Sequence, residues 1–195
     1  MLEDIALMRV MPNMVVIVPG DATEAEKATM AIAQDKRPAY IRLVREATPV
    51  LTSPRTSFTI GKAYVYEQGD DITIISTGTM TYQAMLAAES LFKDGIAAEV
   101  IHVPTIKPLD AATILLSAKK TGAVITIEEA QVAGGLGGAV AELLAENQPT
   151  PMRRMGMKDR YGESGTPAEL LNYFGLSAKH ITFTAHELLH TIGKQ

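Results

Sequence analysis

The sequence predicts an α/β fold built on a mostly parallel sheet with helices on both sides. Three observations carry this expectation. Short runs rich in β-branched residues, MVVIV at 14–18 and AVITI at 123–127, have the character of strands buried on both faces. Segments of about 8–14 residues with helical apolar spacing lie between such runs. Strand and helix alternate along nearly the whole chain, and that order calls for crossover connections and parallel neighbours.

Each element has its own local reason. Apolar Leu2, Ile5, Ala6, Leu7 and Met8 suit a short helix over 2–11, closed by Pro12 and Asn13. The strand over 14–18 ends at the Pro19-Gly20-Asp21 turn. Thr23 with Glu26 three residues on has the form of a capping box and predicts a helix to about Gln34. Asp35 to Pro38 breaks it, and 39–44 reads as the next strand. Residues 46–57 (EATPVLTSPRTS) hold two prolines and five Ser/Thr with no periodicity, which marks a linker and a domain boundary. The alternation then restarts, with strands predicted over 58–67 and 72–76 and a helix over 80–93 stopped by Asp94-Gly95. A strand over 97–103, a helix capped by Asp110 and running to Lys120, and a strand over 123–127 follow. The rest reads as a helix from the glycine run at 134–138 to about Glu146, a strand over 152–157, and helices over 166–173 and 182–192. No internal repeat is present.

Composition narrows the function classes. At 195 residues, 47% hydrophobic, the chain suits one domain or one domain plus a fragment, and it can bury roughly 70% of its unfolded surface. Eighteen Lys+Arg against 22 Asp+Glu give a net charge of −4, which supplies none of the counterion release that nucleic-acid binders exploit. The absence of cysteine excludes disulfides, thiolate zinc sites, iron–sulfur clusters and a cysteine nucleophile. No apolar run approaches the roughly 20 residues of a membrane span. Glu3 and Asp4 stand where a signal peptide would be basic, so the expected location is cytoplasmic.

Few residues point to chemistry by themselves. The glycine run at 134–138, between a strand carrying Glu128-Glu129 and a helix, exposes main-chain N–H groups where an anion could sit, but the favoured reading is that the glycines let helix and sheet, or two subunits, approach closely. It is neither a P-loop nor a G-x-G-x-x-G fingerprint. Arg42 and Arg45 sit at the C-terminal end of a predicted strand, where open α/β sheets bind ligands. They can clamp a phosphate or carboxylate, or simply balance nearby acids. His186 and His190 have i,i+4 metal spacing without a third ligand nearby, which favours a solvated or packed helix face, and His102 and His180 read as structural. The polar loop 159–165 suits packing against a neighbour or holding a ligand.

Read together, several segments resemble the transketolase family. Leu2-Glu3-Asp4-Ile5-Ala6-Leu7-Met8-Arg9, then Pro12-Asn13-Met14-Val15-Val16 and Pro19-Gly20-Asp21-Ala22, resemble the latter part of its pyrimidine-binding domain. Ile106-Lys107-Pro108-Leu109-Asp110, Glu128-Glu129 with the glycine run, and Asp159 to Gly165 followed by Leu170 to Leu176 resemble its C-terminal domain. The resemblance runs from about residue 2 to residue 190. It is nearest to the C-terminal subunit of split transketolases; 1-deoxyxylulose-5-phosphate synthases and the beta subunits of 2-oxo-acid dehydrogenases share the domain pair.

The resemblance implies a partial α/β pyrimidine-binding domain at 1–45, a linker at 46–57 and a three-layer α/β/α C-terminal domain at 58–195. It implies an enzyme that moves two-carbon ketol units between sugar phosphates with thiamine diphosphate and Mg²⁺, working as a homodimer with an N-terminal subunit or upstream segment. The sequence departs from the family in lacking its Gly-Asp-Gly signature, because Gly20-Asp21-Ala22 and Gly69-Asp70-Asp71 do not qualify. The family's activating glutamate and histidine loop precede the segment matched by Leu2-Glu3-Asp4. The expectation is therefore a chain inactive alone that binds no cofactor alone. Arg45 matches the arginine that binds the sugar phosphate, with Arg42 as a companion. The competing expectation is a non-catalytic dimerisation or regulatory domain.

Overall fold

The computed structural model describes residues 1–194 and divides its strands between two sheets. The five-stranded sheet runs in the order β3 (Tyr64–Glu67), β5 (Ala98–His102), β4 (Ile72–Ser76), β7 (Val124–Gln131), β8 (Met152–Met157). All neighbours are parallel except β3, which runs antiparallel to β5. The β-branched character of β4 suits its central place, where every residue is buried. The three-stranded sheet has β1 (Val15–Ile17) in the middle, parallel to β2 (Ala39–Ile41) and antiparallel to β6 (Thr105–Lys107).

Helices cover both faces of the large sheet. On one side α3 (Met80–Lys93) and α7 (Ala178–Thr191) enclose a core that includes Ile72, Ile74, Leu91, Ile125 and Leu188. On the other, α1 (Asp4–Val10), α4 (Ala111–Thr121) and α5 (Leu136–Asn147) bury Ile5, Ile75, Ile101, Ile114 and Leu136. A smaller cluster joins Ala28 of α2 (Ala22–Gln34) to Val15 and Ile17 of the small sheet. The short α6 (Pro167–Tyr173) precedes α7 and carries a capping box between Thr166 and Glu169.

The predicted elements are present, with six local differences. Asp21, not Thr23, caps α2: its carboxylate accepts from Glu24 N at 2.8 Å, and the ionised group makes the stronger cap. The strand expected over 58–67 is confined to Tyr64–Glu67, and the one over 39–44 ends at Ile41. β7 continues to Gln131 because its end gains β8 and the chain's first residues as partners, with Gln131 N donating to Leu2 O at 2.8 Å. α7 starts at Ala178, four residues earlier than expected, behind a Ser177 N-cap. β6 was not foreseen; three residues between Pro104 and Pro108 carry too little periodicity to read as a strand.

The expected linker 46–57 contains neither helix nor strand. Even so, the segments on its two sides are joined directly. β6 pairs with β1, and Val18 N donates to Pro104 O at 2.8 Å. The deepest polar junction is Glu24 of α2 with His102 of β5, both fully buried and 2.7 Å apart between Oε2 and Nε2. Gly20 N donates to the same carboxylate oxygen at 2.7 Å. With Nε2–H given to Glu24, Nδ1 accepts from the Thr81 hydroxyl at 2.7 Å. Carboxylate, imidazole and hydroxyl thus form a relay, but all three are sealed from solvent, so the relay is a joint and not a catalytic site.

Replacing His102 by Ala leaves the Glu24 carboxylate buried with little beyond one main-chain donor. The expected loss in unfolding free energy is about 3–5 kcal/mol, measured by chemical denaturation. A loss below about 1 kcal/mol would show that the joint contributes nothing.

Candidate functional site

A cavity of about 730 Å³ opens where the chain leaves β2. Its apolar floor includes Met80, Met157, Leu170, Leu171, Phe174 and Leu176. Its polar wall holds Asp4, Arg42, Arg45, Glu129 and Glu163. The two arginines from the end of β2 therefore share one cavity, as the end-of-strand argument predicts, but in very different states.

Arg42 is enclosed, with its side chain 13% exposed. Its Nε lies 3.3 Å from Asp4 Oδ2, its Nη1 donates to Glu129 O at 2.6 Å, and its Nη2 reaches Met1 O at 3.4 Å. Asp4 Oδ2 also accepts from the Tyr40 hydroxyl at 2.6 Å. Burial and the Asp4 carboxylate push that hydroxyl up to about 12, so it stays a donor throughout the physiological range. Arg45 is the opposite: its side chain is 94% exposed, and its one charged contact among the described residues is the exposed neighbour Glu46, at 3.1 Å from Nη2. A guanidinium so placed can turn to an arriving anion and give it two parallel N–H groups.

The glycine run serves the close approach favoured from the sequence, and not an external anion. Glu128, fully buried at the end of β7, accepts from Leu136 N through Oε2 and from Gly137 N through Oε1, each at 2.8 Å. The carboxylate sits at the N-terminus of α5, in the place an external anion would take. A Cβ on Gly135 would stand 2.0 Å from Glu128 Oε2, so the glycine exists to let the carboxylate in. Burial pushes the Glu128 carboxyl up to about 7, outweighing the two N–H groups and the charges of Arg42 and Arg154.

Comparison with known proteins places this arrangement. The family model described as Transketolase, C-terminal domain, matches residues 61–181. The chain belongs to the transketolase family. A 6-deoxy-6-sulfo-D-fructose transketolase subunit of Clostridium sp. (strain MSTE9) is 46% identical over 187 residues, which are 96% of this chain and 58% of that protein. A putative transketolase C-terminal section of Methanocaldococcus jannaschii is 41% identical over 93% of this chain and 57% of its own length. The chain thus spans somewhat more than half the length of these relatives. A solved structure titled as a split-gene transketolase, inactive beta4 tetramer, superposes with a TM-score of 0.94 at 43% identity, over 97% of this chain and 62% of that one. A transketolase variant from Pichia stipitis shares the fold at 21% identity and a TM-score of 0.77.

The remaining candidates of this transketolase chain are dispersed. His186 Nε2 lies 3.1 Å from Asp94 Oδ2, and His180 Nδ1 is 2.8 Å from Ser177 Oγ. Among the described residues no three His, Cys, Asp or Glu side chains converge as a metal site. Among the described residues no helix is long and apolar enough to cross a membrane. The loop 159–165 does reach the cavity, through Gly162, Glu163 and Gly165. Gln131 holds it by accepting from Asp159 N and donating to Arg160 O, while the Arg160 guanidinium lies over the Tyr173 and Phe174 rings at 5.0 and 4.9 Å. Sequence reasoning missed Asp4, Asp21 and Glu128. The one advance sign of Glu128 was an acidic pair ahead of a glycine run, which gives the helix N-terminus an internal occupant.

Because the folded state holds the Glu128 proton more tightly than the unfolded chain, its share of stability is complete below about pH 4.5. That share is lost as pH rises to about 7, and the loss amounts to about 3 kcal/mol. Glu128→Gln removes this titration. The difference in unfolding free energy between the two proteins is therefore expected to change across pH 4.5–7 and to be flat above it. A difference independent of pH in that window would contradict the assignment.

Proposed function

We propose that this chain is the C-terminal part of a thiamine-diphosphate-dependent transketolase that moves two-carbon ketol units between sugar phosphates. Residues 1–45 are read as the end of the pyrimidine-binding domain, 46–57 as a linker, and 58–195 as the C-terminal domain. Arg45 binds the substrate's terminal phosphate, and Arg42 is its companion from the same strand end. The active form includes an N-terminal section, supplied as a separate subunit or as upstream chain, and assembles around a homodimer in the cytoplasm. The observation that carries this reading is the contrast within one cavity of a transketolase fold. Arg42 is committed to Asp4 and Glu129, while Arg45 is held ready at the surface.

In transketolases thiamine diphosphate supplies the electron sink for carbanion chemistry, and Mg²⁺ holds its diphosphate. The residues present here do not fit that pair. No trio of ligating side chains converges among the described residues, the sequence has no Gly-Asp-Gly, and Glu128 already fills the glycine-lined helix N-terminus. No chemical step is therefore assigned to this chain's side chains; their part is to bind and orient the anionic end of the sugar. Relatives are named for different sugars, a 6-deoxy-6-sulfo-fructose in one and apulose 4-phosphate in another. A terminal anion is common to both names, and Arg45 suits that shared feature.

Two outcomes test the reading. Titration of the purified chain with thiamine diphosphate and Mg²⁺ is expected to give no saturable heat, and micromolar binding would overturn the division of labour. In the assembled enzyme Arg45→Ala is expected to raise KM for the ketose phosphate about tenfold or more through loss of a charge-assisted contact. An unchanged KM would return Arg45 to the role of a surface charge.

A further inference from the structure

Between Arg42 and Leu51 the chain crosses the cavity as a strap without regular structure. Its last ladder bond before the crossing is Arg42 N to Ile17 O at 2.9 Å. Among the described residues, none makes a main-chain hydrogen bond with the backbone of residues 43–50. A strap of this kind would wander unless its ends were fixed, and Arg45 lies within it. The near end is fixed by the Arg42 side chain on Asp4 and Glu129 O.

The far end is fixed by a second buried aspartate. Asp21 Oδ2 accepts from Leu51 N at 2.6 Å and from Thr52 N at 2.5 Å, and Asp21 Oδ1 accepts from the Thr52 hydroxyl at 2.8 Å. Oδ1 also caps α2 by accepting from Glu24 N at 2.8 Å. One carboxylate thus does two separable jobs, one oxygen shared with the helix and the other given wholly to the strap. Burial works against its charge, but these hydrogen bonds win and hold the carboxyl below the usual carboxylate value, so it is an ionised acceptor at neutral pH. Just beyond, the Lys27 ammonium of α2 donates to Ser53 O at 2.5 Å and to Thr56 O, which extends the attachment to the same helix.

We propose that Asp21 is a positioning residue for Arg45: by anchoring Leu51 and Thr52 to the start of α2 it draws the strap taut from the Arg42 end and sets where the Arg45 guanidinium meets the substrate's anion. The role rests on the reading of Arg45 as the phosphate-binding arginine. It explains why a side chain so exposed can still have a defined place, since both ends of its short span are tied to buried carboxylates. It also separates Asp21 from an ordinary helix cap, because a cap needs only one oxygen.

Asp21→Ser tests this, because serine keeps an N-cap acceptor for Glu24 N and lacks the second oxygen that holds the strap. In the chain as it stands, amide hydrogen exchange at Leu51 and Thr52 is expected to quicken about tenfold or more while the amides of α2 keep their protection. In the assembled transketolase KM for the ketose phosphate is expected to rise about threefold to tenfold with kcat within a factor of about two. Unchanged exchange at 51 and 52, or an unchanged KM, overturns the proposal. Arg45→Ala serves as the control. If it raises KM and Asp21→Ser does not, the tether fails and the phosphate reading stands; if it has no effect, that reading fails and the role of Asp21 fails with it. Should Asp21→Ser not fold, Thr52→Val removes one strap contact, leaves the cap untouched, and is expected to move exchange and KM in the same directions by less.

Discussion

A carboxylate removed from water must find donors nearby, and in this chain that requirement decides how distant segments meet. Glu24 illustrates it most directly. With its side chain sealed, its charge is met by His102 from a strand 78 positions later and by the main chain at Gly20. His102 in turn is held by Thr81, which places the first turn of α3. A shift of α2 against the large sheet would break the Glu24–His102 bond, while the Gly20 contact would travel with the helix. The orientation of the small sheet on the large one is thus fixed by directional contacts, whereas the apolar clusters beside them would tolerate sliding.

The same device recurs with different partners. Glu128 joins the end of β7 to the first turn of α5 by taking the N–H groups that a helix start leaves free. Glu99 of β5, also buried, is met by Ser117 and Lys120 of α4, and Ser117 passes the network on to Thr73 of β4 at 2.8 Å. Asp4 ties α1 to β2 through Tyr40 and Arg42. The Glu24, Glu99 and Asp4 junctions each connect a helix to a strand that is not its immediate neighbour in sequence, while Glu128 ties β7 to the helix that follows it. The apolar core supplies the drive to compact, and these carboxylates select one register among the compact arrangements.

This explains what sequence reading could and could not reach. Helices such as Met80–Lys93 and strands such as Ile72–Ser76 are local events, written in spacing and β-branching, and they lie where the pattern puts them. β6 is a strand only because β1 is beside it, so nothing within Thr105–Lys107 announces it. The cap at Asp21 was hidden by a competing Thr23–Glu26 pair of the right spacing; the decisive fact was that Asp21 also receives Leu51 and Thr52 from 30 residues away. The candidate site was half legible. Arg42 and Arg45 were singled out by their place at a strand end, but the enclosure of Arg42 depends on Asp4 and Glu129, which no local pattern relates to it, while Arg45 pairs only with its exposed neighbour Glu46 among the described residues.

That division follows from what an anion site asks of an arginine. A guanidinium already satisfied by a buried carboxylate gains little from a phosphate, since it must first give up an equal partner. A guanidinium on an unrestrained loop is available but must be ordered on binding, and the lost freedom of backbone and side chain offsets much of the contact. Under the proposed role of Arg45, the arrangement around it would avoid both costs. Its own side chain is uncommitted apart from an exposed neighbour, while the backbone that carries it is fixed from Asp4 on one side and Asp21 on the other. Exposure of the charge and anchoring of the segment that carries it thus come from different residues, and under the proposed role of Arg45 the two buried aspartates would serve binding without touching the ligand.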